Sequence, residues 1–428
     1  MRPHICFNIL SLGTLLLALV SGGCGQPKTS GPAAVAVSSH LAAIAAAGES
    51  VTLDQLSRIY EEPPASQNAA PLYAQAFAAL KVKDANSPDF LARNQEALAL
   101  LLQAAERPLC RYPVALTNGV MVLLPHLAEF KYGTKLLRQE AVSQAARGRT
   151  DAATTAILAG FRLARSLDSE PLLISKLVEI ASLGQAFDGL QESLNQKSFT
   201  DGELLRLLTA LRDAEPAVGF RRAMLGERAN LVAAFQSSDE KLAEAMAVEG
   251  GSEASARPIM LRVYRSGGHL QEDFAFALDF MSNLVALVNL PYPQALDAAA
   301  GMKIPDTQTV LSGKLVVSAV LLPEPARFVE MGAEAVARIR LARTVLAVER
   351  YRLKHDGALP NSLADVSAEL SDGIPEDPFD GQPLRYKAMP ARGYTVYSAG
   401  PDRKDDGGAA RGLDADTPRD VGMTISRK

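Results

Sequence analysis

The stretch ARFVEMGAEAVARIRLARTVLAVERYRLKH, Ala326 to His355, followed by Asp356-Gly357-Ala358-Leu359-Pro360, divides two kinds of text. Ile339, Ala342, Leu346 and Leu353 fall on one stripe at helical spacing, with Leu341, Val345 and Val348 beside it. Arg340, Arg343, Arg350 and Lys354 fall opposite, so the spacing predicts a long amphipathic helix. It ends at Asp356-Gly357, where glycine takes the left-handed cap conformation. Beyond it come a short helix over Ser362 to Leu370, a turn-rich run from Ile374 to Pro383, and alternating strands at Leu384 to Ala388 and Tyr394 to Ser398. Residues 326–428 therefore read as an α+β module with a small antiparallel sheet.

Upstream, from about Ala33 to Pro325, alanine- and leucine-rich text predicts helix after helix with Pro, Gly, Asn or Asp between them. The pieces include Pro71 to Lys81, Ser87 to Arg107, Gly119 to Ala146, Asp151 to Leu167 and Leu172 to Leu194, with Asp151 placed as an N-cap. The pair joined at Arg147 to Thr150 resembles a tetratricopeptide hairpin, but no fixed period recurs. The fold class expected is thus mainly α, an irregular antiparallel helical array, with breaks at Pro216 and over Glu249 to Ala256 dividing it into 33–215 and 216–325. Phe280 to Leu290 and Val310 to Leu322 are apolar but too short to span a bilayer, and read as buried helices.

The N-terminus carries Arg2, an apolar run from Ile5 to Val20, then Ser21-Gly22-Gly23 and Cys24, so residues 1–23 read as a signal peptide. The apolar run is short of the roughly 20 residues a membrane span needs. Its end on Cys24 resembles a lipobox, which implies acylation of Cys24 and attachment to a bacterial membrane on its periplasmic side, inner or outer. Ser21 stands where an aliphatic residue is usual, and a signal anchor or plain secretion are the alternatives. Residues 24–32 form a polar tether. Of the three cysteines, Cys6 leaves with the signal and Cys24 is acylated, leaving Cys110 without a disulfide partner. A net charge of -4 gives no basic footprint for nucleic acid.

Four ordered matches give the C-terminal module a family likeness. Glu349-Arg350-Tyr351-Arg352 with His355 to Pro360, then Asp377-Pro378-Phe379-Asp380-Gly381 with Pro383-Leu384-Arg385-Tyr386, then Tyr394 to Asp402, and finally Asp414-Ala415-Asp416 follow one another as in the soluble domain of the type II secretion major pseudopilin. The resemblance implies a Ca²⁺ site on Asp402, Asp414 and Asp416. Calcium takes six to eight oxygens from flexible loops, and Asp405, Asp406 and Asp420 crowd the same segment. Arg403, Lys404 and Arg411 lie inside it, and a solvated, self-neutralising tail is the alternative. Arg338, Arg340 and Arg343 exclude packing of this helix into a pilus core. The whole chain also resembles large exported proteins of planctomycete-type bacteria, on Asn68 to Tyr73, Leu123 to Leu127, Ala164-Arg165-Ser166-Leu167 and Arg340-Leu341-Ala342.

Catalytic motifs are absent from the text: no Gly-x-Ser-x-Gly, no phosphate loop, no His-Glu-x-x-His. His126 at an apolar helix start reads as a core or groove histidine, Glu61, Glu62 and Glu106 as a solvated face, and Tyr60, Tyr73 and Tyr132 as packing or groove residues. The functional expectation is a non-enzymatic, lipid-anchored module that binds a protein or peptide on its helical array. The alternative is an exported hydrolase or lyase with its site in the same groove, which a deep polar pocket holding His126 and a carboxylate would support and a filled apolar surround would end.

Overall fold

A computed structural model describes residues 31–212, 214–215, 217–247, 257–389, 393–409 and 420–426. Its helices are α1 (Pro32–Ala46), α2 (Leu53–Ile59), α3 (Ala70–Ala78), α4 (Phe90–Arg93), α5 (Gln95–Ala105), α6 (Leu127–Ala146), α7 (Thr150–Arg165), α8 (Leu173–Gln196) and α9 (Asp201–Arg212). They continue as α10 (Ala217–Gln236), α11 (Asp239–Ala245), α12 (Arg257–Ser266), α13 (His269–Leu287), α14 (Tyr292–Gly301), α15 (Thr307–Leu311), α16 (Val316–Leu321) and α17 (Pro325–Lys354). A 3₁₀ turn at Leu363–Glu369 leads to β1 (Arg385–Met389), β2 (Gly393–Ser398) and β3 (Val421–Ile425). The architecture is thus mainly helical with one small antiparallel sheet, in the order β1-β2-β3.

Helix α17 runs through the molecule rather than over it. Ile339, Leu346 and Val348 on its C-terminal half share a core with Leu190, Leu207, Tyr394, Val396 and Ile425, from α8, α9 and the sheet. Phe328 and Ala333 on its N-terminal half share another with Phe220, Phe274, Leu284 and Phe379. Each of these cores takes residues from both sides of position 325. The arginine face opposite the apolar stripe is an ionic seam. Arg343, 4% exposed, donates to Asp372 at 2.5 and 2.7 Å, Arg340 pairs with Glu215 at 2.8 Å, and Arg350 pairs with Asp201 at 2.7 Å and Glu369 at 2.9 Å. The middle of the helix, residues 339–349, is packed on nearly every side, and charges there are kept by partners.

Two expected helices are shorter than their text suggests. Over Gly119 to Ala146, Gly119 adopts φ 59° with ψ -135°, a conformation for glycine alone, and Pro125 biases Leu124 to extended backbone, so α6 begins at Leu127. Val310 to Leu322 is broken between α15 and α16, where Gly313 and Leu315 have φ of 75° and 51°. Asp273 of α13 stabilises the restart: its carboxylate accepts the backbone N–H of Val317 at 2.8 Å and of Ser318 at 3.1 Å, and the Tyr264 hydroxyl at 3.0 Å. Helix α7 starts one residue before Asp151, which sits in its first turn and pairs with Arg206.

Among the described residues, no helix is long and apolar enough to cross a membrane. Residues 1–23 and Cys24 lie outside the described residues.

Candidate functional site

A third core, Tyr60, Tyr73, Phe77, Phe90, Leu101, Tyr112, Phe130 and Leu163, forms the inside of the helical array. Against its polar edge lies a groove of about 850 Å³. One part of its lining comes from segments 59–64 and 106–111, the other from the last turns of α7, the Ser166–Ser169 turn, α9 and α10. A neighbouring hollow of about 730 Å³, lined by Leu102, Thr155, Leu158, Leu205 and Arg206, shares Glu106, Leu158, Arg162, Thr209 and Ala210 with the first. Together they make one groove along α7, with apolar residues Leu102, Leu158, Phe161 and Leu205 set between charged ones.

The charges divide by origin. Glu61, Glu62 and Glu106 come from the 59–64 and 106–111 segments, where Arg107 and Arg111 do structural service. Arg107 donates to the carbonyls of Ala65 and Asn68, and Arg111 donates to the Tyr60 carbonyl at 2.8 Å, pairs with Glu62 at 2.5 Å and lies over the Tyr60 ring. Arg162, Arg165 and Arg222 come from α7 and α10. Arg162 donates to the Ala105 carbonyl at 2.7 Å and Arg222 to the Asp168 carbonyl at 3.0 Å. Arg165 makes no hydrogen bond among the described residues. The only acid from this second group is Asp168, and Lys176 pairs with it at 2.9 Å.

Behind Asp168 sits a buried ionic cluster. Lys176 is fully buried and also contacts Glu179 at 2.5 Å, with the Phe220 ring 5.6 Å from its ammonium. Burial pushes the Glu179 carboxyl up to about 7, helped by the charge of Asp168 and opposed by Lys176. A folded-state value above the unfolded one means that the folded chain binds the extra proton. The associated stability is therefore present in full below about 4.5 and is lost as pH rises through about 7. Glu179→Gln is expected to remove that dependence, roughly 2–3 kcal/mol, from the difference between pH 5 and pH 8. Thermal melts of both proteins across that range read it, and parallel curves would contradict it.

The groove holds no activated nucleophile among the described residues. Burial pushes the Cys110 thiol up to about 12, so it stays protonated. The phenols of Tyr60 and Tyr73, both buried and both in the lining, are raised above 10 by the same cause. Tyr132 is not in the lining and carries Lys83 and Lys131 near its ring. His126 does meet a carboxylate: its Nε2 lies 3.0 Å from Glu170 Oε2, and its ring stacks on Tyr112 at 4.3 Å. It lies outside the groove lining, however, with its side chain 11% exposed. Ser175 donates to the Glu170 carboxylate rather than to His126, and neither Ser175 nor Glu170 lines the groove.

In the C-terminal module the motif residues are brought together by Asp377. This buried carboxylate accepts the N–H of Phe379 at 3.0 Å and of Ala399 at 2.8 Å, the Ser398 hydroxyl at 2.8 Å, and Arg385 at 2.8 Å. Arg385 also pairs with Asp380 and lies 3.6 Å from Asp405, so a guanidinium already stands among these three acids. Asp402 Oδ1 accepts the Lys404 N–H at 3.2 Å, and Arg403, at φ 57°, reaches Asp297 on α14 at 2.8 Å. Asp420 accepts the N–H groups of Gly408 and Asp406. Among the described residues no group of three or more His, Cys, Asp or Glu converges on a metal position. Asp414 and Asp416 lie outside the described residues.

Of the segments singled out in the sequence, Ala164 to Leu167 contributes Arg165 and Ser166 to the groove, and Asn68-Ala69 borders it through Ala69. Arg162 and Arg222 carried no local signal, since they come to line one groove only in the folded chain. No protein-family model, no curated protein and no solved structure matches this chain, so the groove is argued from its own residues.

Proposed function

We propose that this chain is an extracytoplasmic binding protein, held by a lipid on Cys24 to the periplasmic side of a bacterial membrane, whose groove along α7 takes a segment of a partner protein or peptide. The observation that carries the reading is the groove itself: half apolar and edged by charge. Specific sites for flexible partners combine apolar pockets with a few placed polar groups, and this lining has that composition. Panning a random peptide library on the full chain is expected to yield binders that Leu158→Asp and Leu205→Asp both abolish. Binders indifferent to both substitutions would place recognition elsewhere.

The rest of the proposal concerns the two ends. The α6–α7 pair is read as a tetratricopeptide-like hairpin and residues 326–428 as a pseudopilin-like docking module, on the sequence resemblance. Calcium on Asp402, Asp414 and Asp416 belongs to the same reading. Asp402 fits it to the extent that its Oδ2 accepts no hydrogen bond among the described residues. The ion would neutralise the acidic segment. A rise in melting temperature with Ca²⁺ that Asp414→Ala removes is the expected result. Mass spectrometry of the exported protein tests the anchor, with an unmodified Cys24 as the contrary outcome.

A further inference from the structure

We infer that the groove selects acidic segments: Arg162, Arg165 and Arg222 form a carboxylate-binding edge, and the ligand is a peptide in which Asp or Glu is interspersed with apolar side chains. This rests on the reading of the groove as a peptide-binding surface. Arg162 and Arg165 are three apart in the last turn of α7, which puts them on one face of the helix. A cation there interacts favourably with the helix C-terminus and so is stable without an acidic partner. Arg222 comes from the next wall and is fixed by its bond to the Asp168 carbonyl. Each guanidinium offers five N–H donors. Arg162 and Arg222 each spend one on a backbone carbonyl, Arg165 spends none among the described residues, and Asp168 is held by Lys176.

A planar fork with free donors matches a carboxylate in two parallel hydrogen bonds, and also matches phosphate or sulfate. Two features decide for the peptide. Leu158 and Phe161 lie in the same lining as the arginines and suit apolar side chains, which a polyphosphate or a sulfated glycan lacks. Glu61 and Glu106 in the same groove repel a ligand that is anionic throughout, whereas a peptide places its charges at intervals.

The test uses the full chain and three probes: a fluorescein-labelled peptide of glutamates interspersed with leucines, its counterpart with every glutamate replaced by glutamine, and polyphosphate. Anisotropy titrations are expected to show the glutamate peptide binding at least about tenfold more tightly than the glutamine one, the scale of one charge-assisted hydrogen bond. Arg162→Ala with Arg165→Ala is expected to erase that ratio with only a small fall in melting temperature, since both side chains are exposed and what they give up is the Arg162 bond to the Ala105 carbonyl and the Arg165 charge near Glu179. Polyphosphate is expected to compete weakly. Equal binding of the two peptides, still abolished by Leu158→Asp, would overturn the acidic selectivity and leave the groove reading standing. Binding of neither peptide removes both. Polyphosphate bound through the arginines with no peptide preference assigns the edge to another class of ligand.

Discussion

Gly226→Ala is expected to destabilise the chain by about 2–3 kcal/mol, although alanine is the better helix former by up to about 1 kcal/mol. A Cβ built on Gly226 falls 1.7 Å from the Pro171 carbonyl oxygen, which belongs to the backbone of the turn beneath α10 and has no rotamer to escape into. Gly219, seven residues earlier on the same face, is also close-packed, but against side-chain ends, Asp168 Oδ1 at 2.1 Å and Lys176 Nζ at 2.2 Å. These glycines let α10 lie directly on the turn that carries Asp168, and Arg222 stands between them. The substitution therefore displaces one wall of the groove as well as costing stability. Gly184→Ala in α8 is the control: nothing lies within 4 Å of its added Cβ, so it is expected to stabilise by roughly 0.5–1 kcal/mol. Denaturant unfolding of both variants separates close packing from propensity.

Asp377→Ala is expected to cost about 4 kcal/mol, an effect felt first in the C-terminal module. The substitution strands the buried N–H groups of Phe379 and Ala399 and the Ser398 hydroxyl, at about 1–3 kcal/mol for each group left unpaired. It also takes from Arg385 its most buried partner, and breaking such a pair from one side is costly. Ser398→Ala removes two bonds, the hydroxyl's own to Asp377 and the one it accepts from the Gly400 N–H, and is expected to cost about 2 kcal/mol. Asp377→Asn should fall between them, because an amide keeps one acceptor but presents donors to groups that are themselves donors. If Asp377→Ala unfolds with the midpoint of the unsubstituted chain, the carboxylate does not hold the turn to the sheet.

The comparison of text and fold follows the range of the interactions. Helix α17, its glycine stop at Gly357 with φ 85°, and strands β1 and β2 were legible, because each depends on local spacing. Strand β3 was not foreseen: Val421 to Ile425 is short and includes a glycine, and it is a strand because β2 pairs with it, Thr395 opposite Thr424. The ion pairs of the α17 arginines were not legible, since Asp372, Glu215 and Asp201 are brought to them only by folding. Asp377 was visible as part of a turn motif, but its bond to the Ser398-Ala399 loop joins two motifs that text shows merely in order. The groove was the least legible part. Its arginines are scattered from Arg107 to Arg222, and a site assembled from the ends of separate helices has no spacing of its own.

Hydrogen exchange of the full chain, with and without a saturating groove-binding peptide, addresses the central claim most directly. Binding in the groove predicts slowed exchange over residues 155–170 and 202–210, the α7 and α9 walls, with the sheet of residues 385–425 unchanged. Protection confined to the sheet, or none at all on binding, would show that the groove along α7 is not where this protein meets its partner.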